Sequence, residues 1–186
     1  MRVLRLALLS MLVLCVPVTT VAAEHRHRLD ADTSRVYFQL HALGWWTVRG
    51  EARAEGTVTM QGETAAIDVR VPLASLQMSR EGYRDWALAP EFFWAARHPE
   101  LTFRADTIPL AHLRDGGEIV GQLHVRGRRR EARFVLGASD CMDPAAACRV
   151  RASGELSRRA FGMRSRRLTL GDRIRIELDL RLVPAS

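Results

Sequence analysis

Cys141 and Cys148 have six residues between them and are the only cysteines besides Cys15. In an exported chain such a pair reads as a disulfide closing a small loop. A loop this short is worth on the order of 2 kcal/mol. Two free thiols or a redox pair is the alternative, although the spacing is not C-x-x-C. The six histidines are His25, His27, His41, His98, His112 and His124, and none makes a recognised metal spacing. His25 and His27 near a new N-terminus would suit a planar copper site, against the plainer reading of a frayed polar end. Asp30, Asp32 and Asp85 have no visible acid–base partner. G-x-S-x-G, P-loop and dinucleotide fingerprints are missing from the sequence. Nothing in it names a nucleophile, a general base or a metal centre.

Two other residue classes remain. All 28 basic residues are arginine, against 21 acidic residues, for a net charge of +7. So complete a bias reads as coding bias, which weakens the case for a nucleic-acid partner. One cluster holds Arg126, Arg128, Arg129, Arg130 and Arg133; another holds Arg158, Arg159, Arg164, Arg166 and Arg167. A solvated strand face is one reading, and contact with an anionic headgroup or membrane surface is the other. The aromatic residues include Phe38, Trp45, Trp46, Trp86, Phe92, Phe93, Trp94, Phe103, Phe134 and Phe161. Singly they read as core. Together with small interior residues such as Ala105, Ala152 and Gly154, they could line an elongated apolar slot.

The elements that must position these groups are strands. From Arg173 to Leu182, charged residues alternate strictly with Ile174, Ile176, Leu178, Leu180 and Leu182. That is a strand with one dry face and one wet face, typical of antiparallel sheets. Weaker copies run through Val36–Phe38–Leu40, Ile67–Val69–Val71, Leu101–Phe103–Ala105 and Val150–Ala152–Gly154–Leu156. Turn signals stand at Gly50, Gly62, Gly116–Gly117, Gly127 and Gly171–Asp172. About eight strands in an all-β sandwich or barrel follow. Ser79–Ala89 breaks the alternation and predicts one short helix, with Ser79 as N-cap, Glu81 in its first turn and Pro90 as its stop.

Residues 1–23 read as a cleaved signal peptide: Arg2 and Arg5, an apolar run from Leu6 to Val16, then Val21–Ala22–Ala23. The run is shorter than the about 20 residues needed to span a bilayer. Leu14 before Cys15 argues against lipidation. Residues 24–186 then form one domain, long enough to fold without a metal. Its charge is 26 − 21 = +5, because two arginines leave with the leader.

The order of motifs resembles the YceI-like family of bacterial secreted proteins, from about Leu29 to Leu182. The carrying stretches are Asp32-Thr33-Ser34-Arg35-Val36-Tyr37-Phe38-Gln39-Leu40-His41, then Val48-Arg49-Gly50. Next come Arg84-Asp85, Glu91-Phe92-Phe93, His98-Pro99 and Leu101-Thr102-Phe103. Gly121-Gln122-Leu123-His124-Val125-Arg126-Gly127 and Arg158-Arg159-Ala160-Phe161-Gly162-Met163 complete the set. Ala160 stands where the pattern has an acidic residue. Trp86-Ala87 stands where it has His-Leu, and the two cysteines lie outside it.

The resemblance implies an eight-stranded antiparallel lipocalin-like β-barrel with one short helix, located in the periplasm. It also implies non-catalytic binding of a polyisoprenoid or similar long-chain amphiphile inside the barrel, without a cofactor. The candidate lining and mouth residues are Phe38, Leu40, His41, Trp45, Trp46, Arg84, Trp86, Phe92, Phe93, Phe103, Phe134, Arg158 and Phe161. The head of the guest is expected near Arg84, with His41 and Arg158 as further candidates. Partners are a hydrophobic small molecule or lipid, transient contact with a membrane surface and, as an assembly, a dimer; nucleic acid is not among them. The rival readings are an enzyme or cofactor carrier acting on a prenylated quinone-like molecule, and a module that binds anionic membrane surfaces.

Overall fold

The computed structural model describes residues 24–80, 82–141, 146–166 and 168–185. The expected leader with Cys15, Glu81, residues 142–145 and Arg167 lie outside them. The strands are β1 (Glu24–Leu29), β2 (Arg35–Ala42), β3 (Trp46–Arg53), β4 (Glu55–Gln61), β5 (Thr64–Pro72), β6 (Gln77–Met78), β7 (Glu100–Pro109), β8 (Gly117–Val125), β9 (Arg128–Leu136), β10 (Cys148–Ser157) and β11 (Leu170–Pro184). Two helices join them, α1 (Tyr83–Leu88) and α2 (Leu110–Asp115).

Eight strands close a ring in the order β1-β4-β5-β7-β8-β9-β10-β11, sealed where β11 pairs with β1. Beyond Leu182, β11 pairs with β1; from Leu170 to Asp179 it pairs with β2. The β1–β2 line is broken at an Asx turn, in which the Asp32 amide and the Thr33 hydroxyl donate to the Asp30 carboxylate at 3.1 and 2.9 Å. Ser34, fully buried there, accepts the Arg181 amide at 3.0 Å. Beyond this break the ring splits, because β3 leaves β5 to pair with β2 and the short β6.

Residues 73–80 and 82–99 fill the split. Leu73 and Leu76 bury beneath them, the Leu73 amide donates to the Pro99 carbonyl at 2.8 Å, and α1 lies across the opening. The helix is shorter than expected. It starts after Gly82, whose left-handed φ of 79° sets the entry, so Ser79 does not cap it. Ser79 instead donates its amide to the Arg49 carbonyl and extends the β3–β6 pairing. Pro90 does follow its end.

Alternation places Ile119, Leu123, Val125, Ala132, Phe134, Leu136, Val150 and Ala152 in the core. Near the β1–β4 end the interior is solid, packed with Leu29, Val58, Met60, Ile108, Leu113 and Leu182. At the other end, inward-facing Phe38, Leu40, Ile174 and Ile176 are only half-buried, because they face open space.

Several expectations change. Gly50 is not a turn; it sits within β3 opposite Phe38, whose ring fills the place of its missing side chain. Gly171–Asp172 lies inside β11, where the register against β2 shifts. Small interior residues do not leave the slot. A Cβ on Gly154 would stand 2.8 Å from Phe134, and one on Gly121 would stand 2.5 Å from Phe103. The two glycines receive those rings, which meet edge to face at 5.2 Å. The N-terminal segment is a paired strand rather than frayed, and buried His27 lies with Nε2 3.2 Å from the Ala146 carbonyl. Cys141 and Cys148 form a disulfide.

Candidate functional site

Two apolar cavities meet inside the hollow end. The outer one has a volume of about 370 Å³ and the inner about 110 Å³. They share Phe38, Phe93, Met163 and Ile174, which form a waist. The outer volume alone is within the roughly 300–1,000 Å³ range of small-molecule sites. Its walls come from the inward parity of β2, β3 and β11, from Tyr83, Trp86, Phe92 and Phe93 of the crossing segment, and from Met163, Arg166, Thr169 and Leu170. The inner cavity ends on Phe103, Phe134 and Phe161, and among the described residues Thr102 is its only lining residue with a polar side chain.

The structure gathers most of the expected residues. Phe38, Leu40, Trp46, Trp86, Phe92, Phe93 and Arg158 line the outer cavity; Phe38, Phe93, Phe103, Phe134 and Phe161 line the inner. Three lie elsewhere. His41 is exposed on the outer parity of β2, opposite Thr47. Trp45 is 74% exposed at the hairpin tip, edge-on to Trp46. Arg84 holds the crossing segment: its Nε donates to the Leu76 carbonyl at 2.9 Å and its Nη2 to the Ala74 carbonyl at 3.2 Å.

Arg158 is wall, not an open cation. It is 1% exposed. Its guanidinium donates to the carbonyls of Gly171, Met163, Ser165 and Leu170 at 2.7–3.0 Å. It thereby ties down the loop between the 3-10 turn at Arg158–Phe161 and β11. Burial lowers its pKa from the ordinary value, and the nearby Asp172 charge opposes that. An arginine still keeps its proton in proteins. Burial pushes the Asp172 carboxyl up. The Ser157 hydroxyl and Arg159 amide, donating at 2.8 and 3.0 Å, outweigh it with help from both arginine charges and hold the group below the usual carboxylate value.

Sequence reasoning missed Arg80, Tyr83, Met78, Met163 and Thr169. Period-two parity from Trp46 would have found Val48. The Arg80 guanidinium lies 3.9 Å over the Trp46 ring, and that of Arg166 lies 3.5 Å over the Trp86 ring. Trp86 also stacks on Tyr83 at 5.8 Å and Phe92 at 6.4 Å. These three rings and the two arginines frame the opening. In the other basic cluster, Arg133 pairs with Glu118 and Glu131 on the wet face, while Arg126 donates to the Gly162 and Pro90 carbonyls. Among the described residues, no carboxylate, histidine or cysteine lines either cavity.

The model of the YceI-like domain matches residues 27–182. Among solved structures, the chain is similar to BcnA of Burkholderia cenocepacia, at 16% identity and a TM-score of 0.71, over 82% of this chain and 98% of that one. It is similar to a polyisoprenoid binding domain from Saccharophagus degradans implicated in plant cell wall breakdown, at 11% identity and a TM-score of 0.65, over 86% and 98%. It is also similar to the Campylobacter jejuni YceI protein, at 17% identity and a TM-score of 0.59, over 74% and 84%. At these identities the likeness concerns the fold. No curated protein matches the sequence.

Proposed function

The chain belongs to the YceI-like family, and from that membership we propose that it carries a polyisoprenoid or similar long-chain amphiphile, without catalysis, in the periplasm. One observation carries the reading: the hollow end of the barrel is an apolar passage that opens between Trp46 and Trp86 and stops at Phe103 and Phe134. Its likeness to a polyisoprenoid binding domain supports the choice of guest.

The shape favours a chain over a compact ligand, since a guest must pass the waist at Phe38 and Phe93 to fill both cavities. Each buried CH₂ contributes about 0.8 kcal/mol. Association costs at least about 4 kcal/mol in lost freedom, so more than about five such groups must enter before binding is favourable. A non-catalytic role is supported by the lining: the polar side chains of the outer cavity are Arg80, Tyr83, Arg158, Arg166 and Thr169. None of these makes a nucleophile–base pair. Export is supported by the leader-like residues 1–23 and by the disulfide, which suits an oxidising compartment.

Contact with a membrane belongs to the same reading. Leu43, Trp45 and Leu168 are 59%, 74% and 99% exposed, and all stand on the two loops beside the opening. Those loops are joined by the Leu43 amide donating to the Thr169 carbonyl at 2.7 Å. An oily rim of this kind lets a water-insoluble guest leave a bilayer without crossing water.

Solvent extraction of the purified protein followed by mass spectrometry tests the proposal. A co-purifying prenyl or other long-chain lipid is expected. A protein that emerges empty, and stays empty after incubation with prenyl lipid, contradicts it.

A further inference from the structure

Arg158 is spent on four carbonyls, so Arg80 and Arg166 are the cations left facing the outer cavity. Each is centred over an indole that is itself cavity wall. Stacking occupies the face of a guanidinium and leaves its in-plane N–H fork open. Among the described residues neither side chain enters an ion pair or a hydrogen bond, whereas on the outer strand faces Arg104, Arg133, Arg149 and Arg175 pair with acids. Arg166 is also set in place by its backbone. It has a left-handed φ of 53°, and its carbonyl accepts the amides of Thr169 and Leu170 at 3.0 and 2.8 Å.

We infer that Arg80 and Arg166 clamp an anionic head, a phosphate or carboxylate, carried by the guest whose chain fills the two cavities. The inference rests on the carrier reading and narrows it to acidic amphiphiles. A neutral alcohol or phenol would leave both forks to water. An anion receives charge-assisted hydrogen bonds from both.

The test is displacement of fluorescent N-phenylnaphthylamine from the purified protein by geranylgeranyl phosphate and by geranylgeraniol. These share one chain and differ in head charge. The phosphate is expected to bind roughly ten-fold tighter, the low end for hydrogen bonds to a charged group because both arginines meet solvent. That preference should shrink in about 1 M salt, where screening acts within about 3 Å. The paired variant Arg80→Gln with Arg166→Gln should lose the preference and bind phosphate and alcohol alike, and each single variant should lose part of it. Equal binding of phosphate and alcohol by the wild type overturns the clamp and leaves the carrier standing. Binding of neither overturns the carrier itself. Phosphatidic acid places the same head on two chains. If it displaces the dye as well as the prenyl phosphate does, the arginines serve bilayer headgroups, and the assignment to the guest's own head is overturned.

Discussion

Replacing Phe134 with alanine should deepen the hollow and change which chain fits best. Phe134 is 4% exposed, packs edge to face on Phe103 at 5.2 Å, and occupies the space above Gly154. Removing so buried a ring costs about 3–5 kcal/mol. At about 2–4 °C per kcal/mol for a chain of this size, the melting temperature should fall by about 6–20 °C. The void opens onto the inner cavity, which the ring now closes. Longer chains should therefore gain affinity relative to wild type, while short chains that stop at the waist should not. Calorimetry on the empty protein gives the first number, and displacement by a homologous series of prenyl alcohols gives the second. Saturating ligand at about one hundred times its dissociation constant adds about 2.7 kcal/mol of stability, so the longest alcohols should also restore part of the lost melting temperature. Phe134→Leu is the milder companion should the alanine variant fold poorly. An unchanged length preference, alongside the full stability loss, would refute the idea that Phe134 forms the floor of the passage.

Other expectations follow from single features. Removing the disulfide through Cys141→Ser with Cys148→Ser should cost about 2 kcal/mol, or about 4–8 °C in a thermal melt, with the barrel's circular dichroism retained. Arg158→Met removes the donors to the carbonyls of Met163, Ser165, Leu170 and Gly171, so the chain around Met163 and Ser165 should become the first site of limited proteolysis and cavity binding should weaken. Asp172 has a folded pKa below its unfolded one. Its stabilisation is therefore present above the unfolded value and lost as pH falls through the folded one. The melting temperature of wild type should exceed that of Asp172→Asn near neutral pH, and the gap should close on acidification below the ordinary carboxylate range; a gap independent of pH would contradict this.

Parity carried most of what was legible beforehand. Ile174, Ile176, Phe38 and Leu40 face inward because a strand turns its side chains to alternate faces. By the same rule His41, next to Leu40, faces outward. Trp45 and Trp46 show how sharp the rule is: one residue separates a hairpin tip from a cavity wall. Where the chain leaves the strands, the pattern is silent. Arg80 and Arg84 lie four apart on the crossing segment, and only the fold shows that Arg84 bonds backbone while Arg80 reaches the opening. The helix α2 follows Pro109 and buries only Leu113, too short a signal to compete with the strands around it. The expected eight strands close the barrel; among the described residues the strand count rises to eleven because the Asx turn at Asp30 and the fully buried Ala54 each break what alternation alone would join, and the short β6 adds itself to β3.

The most direct test of the account is the position of the far end of a bound chain. Crystals of the protein grown with a long amphiphile brominated at its apolar tip should show the anomalous bromine peak beside Phe103 and Phe134, with the head at the Trp46–Trp86 opening. A bromine peak outside the barrel, or both cavities dry and unoccupied at saturating ligand, would contradict it.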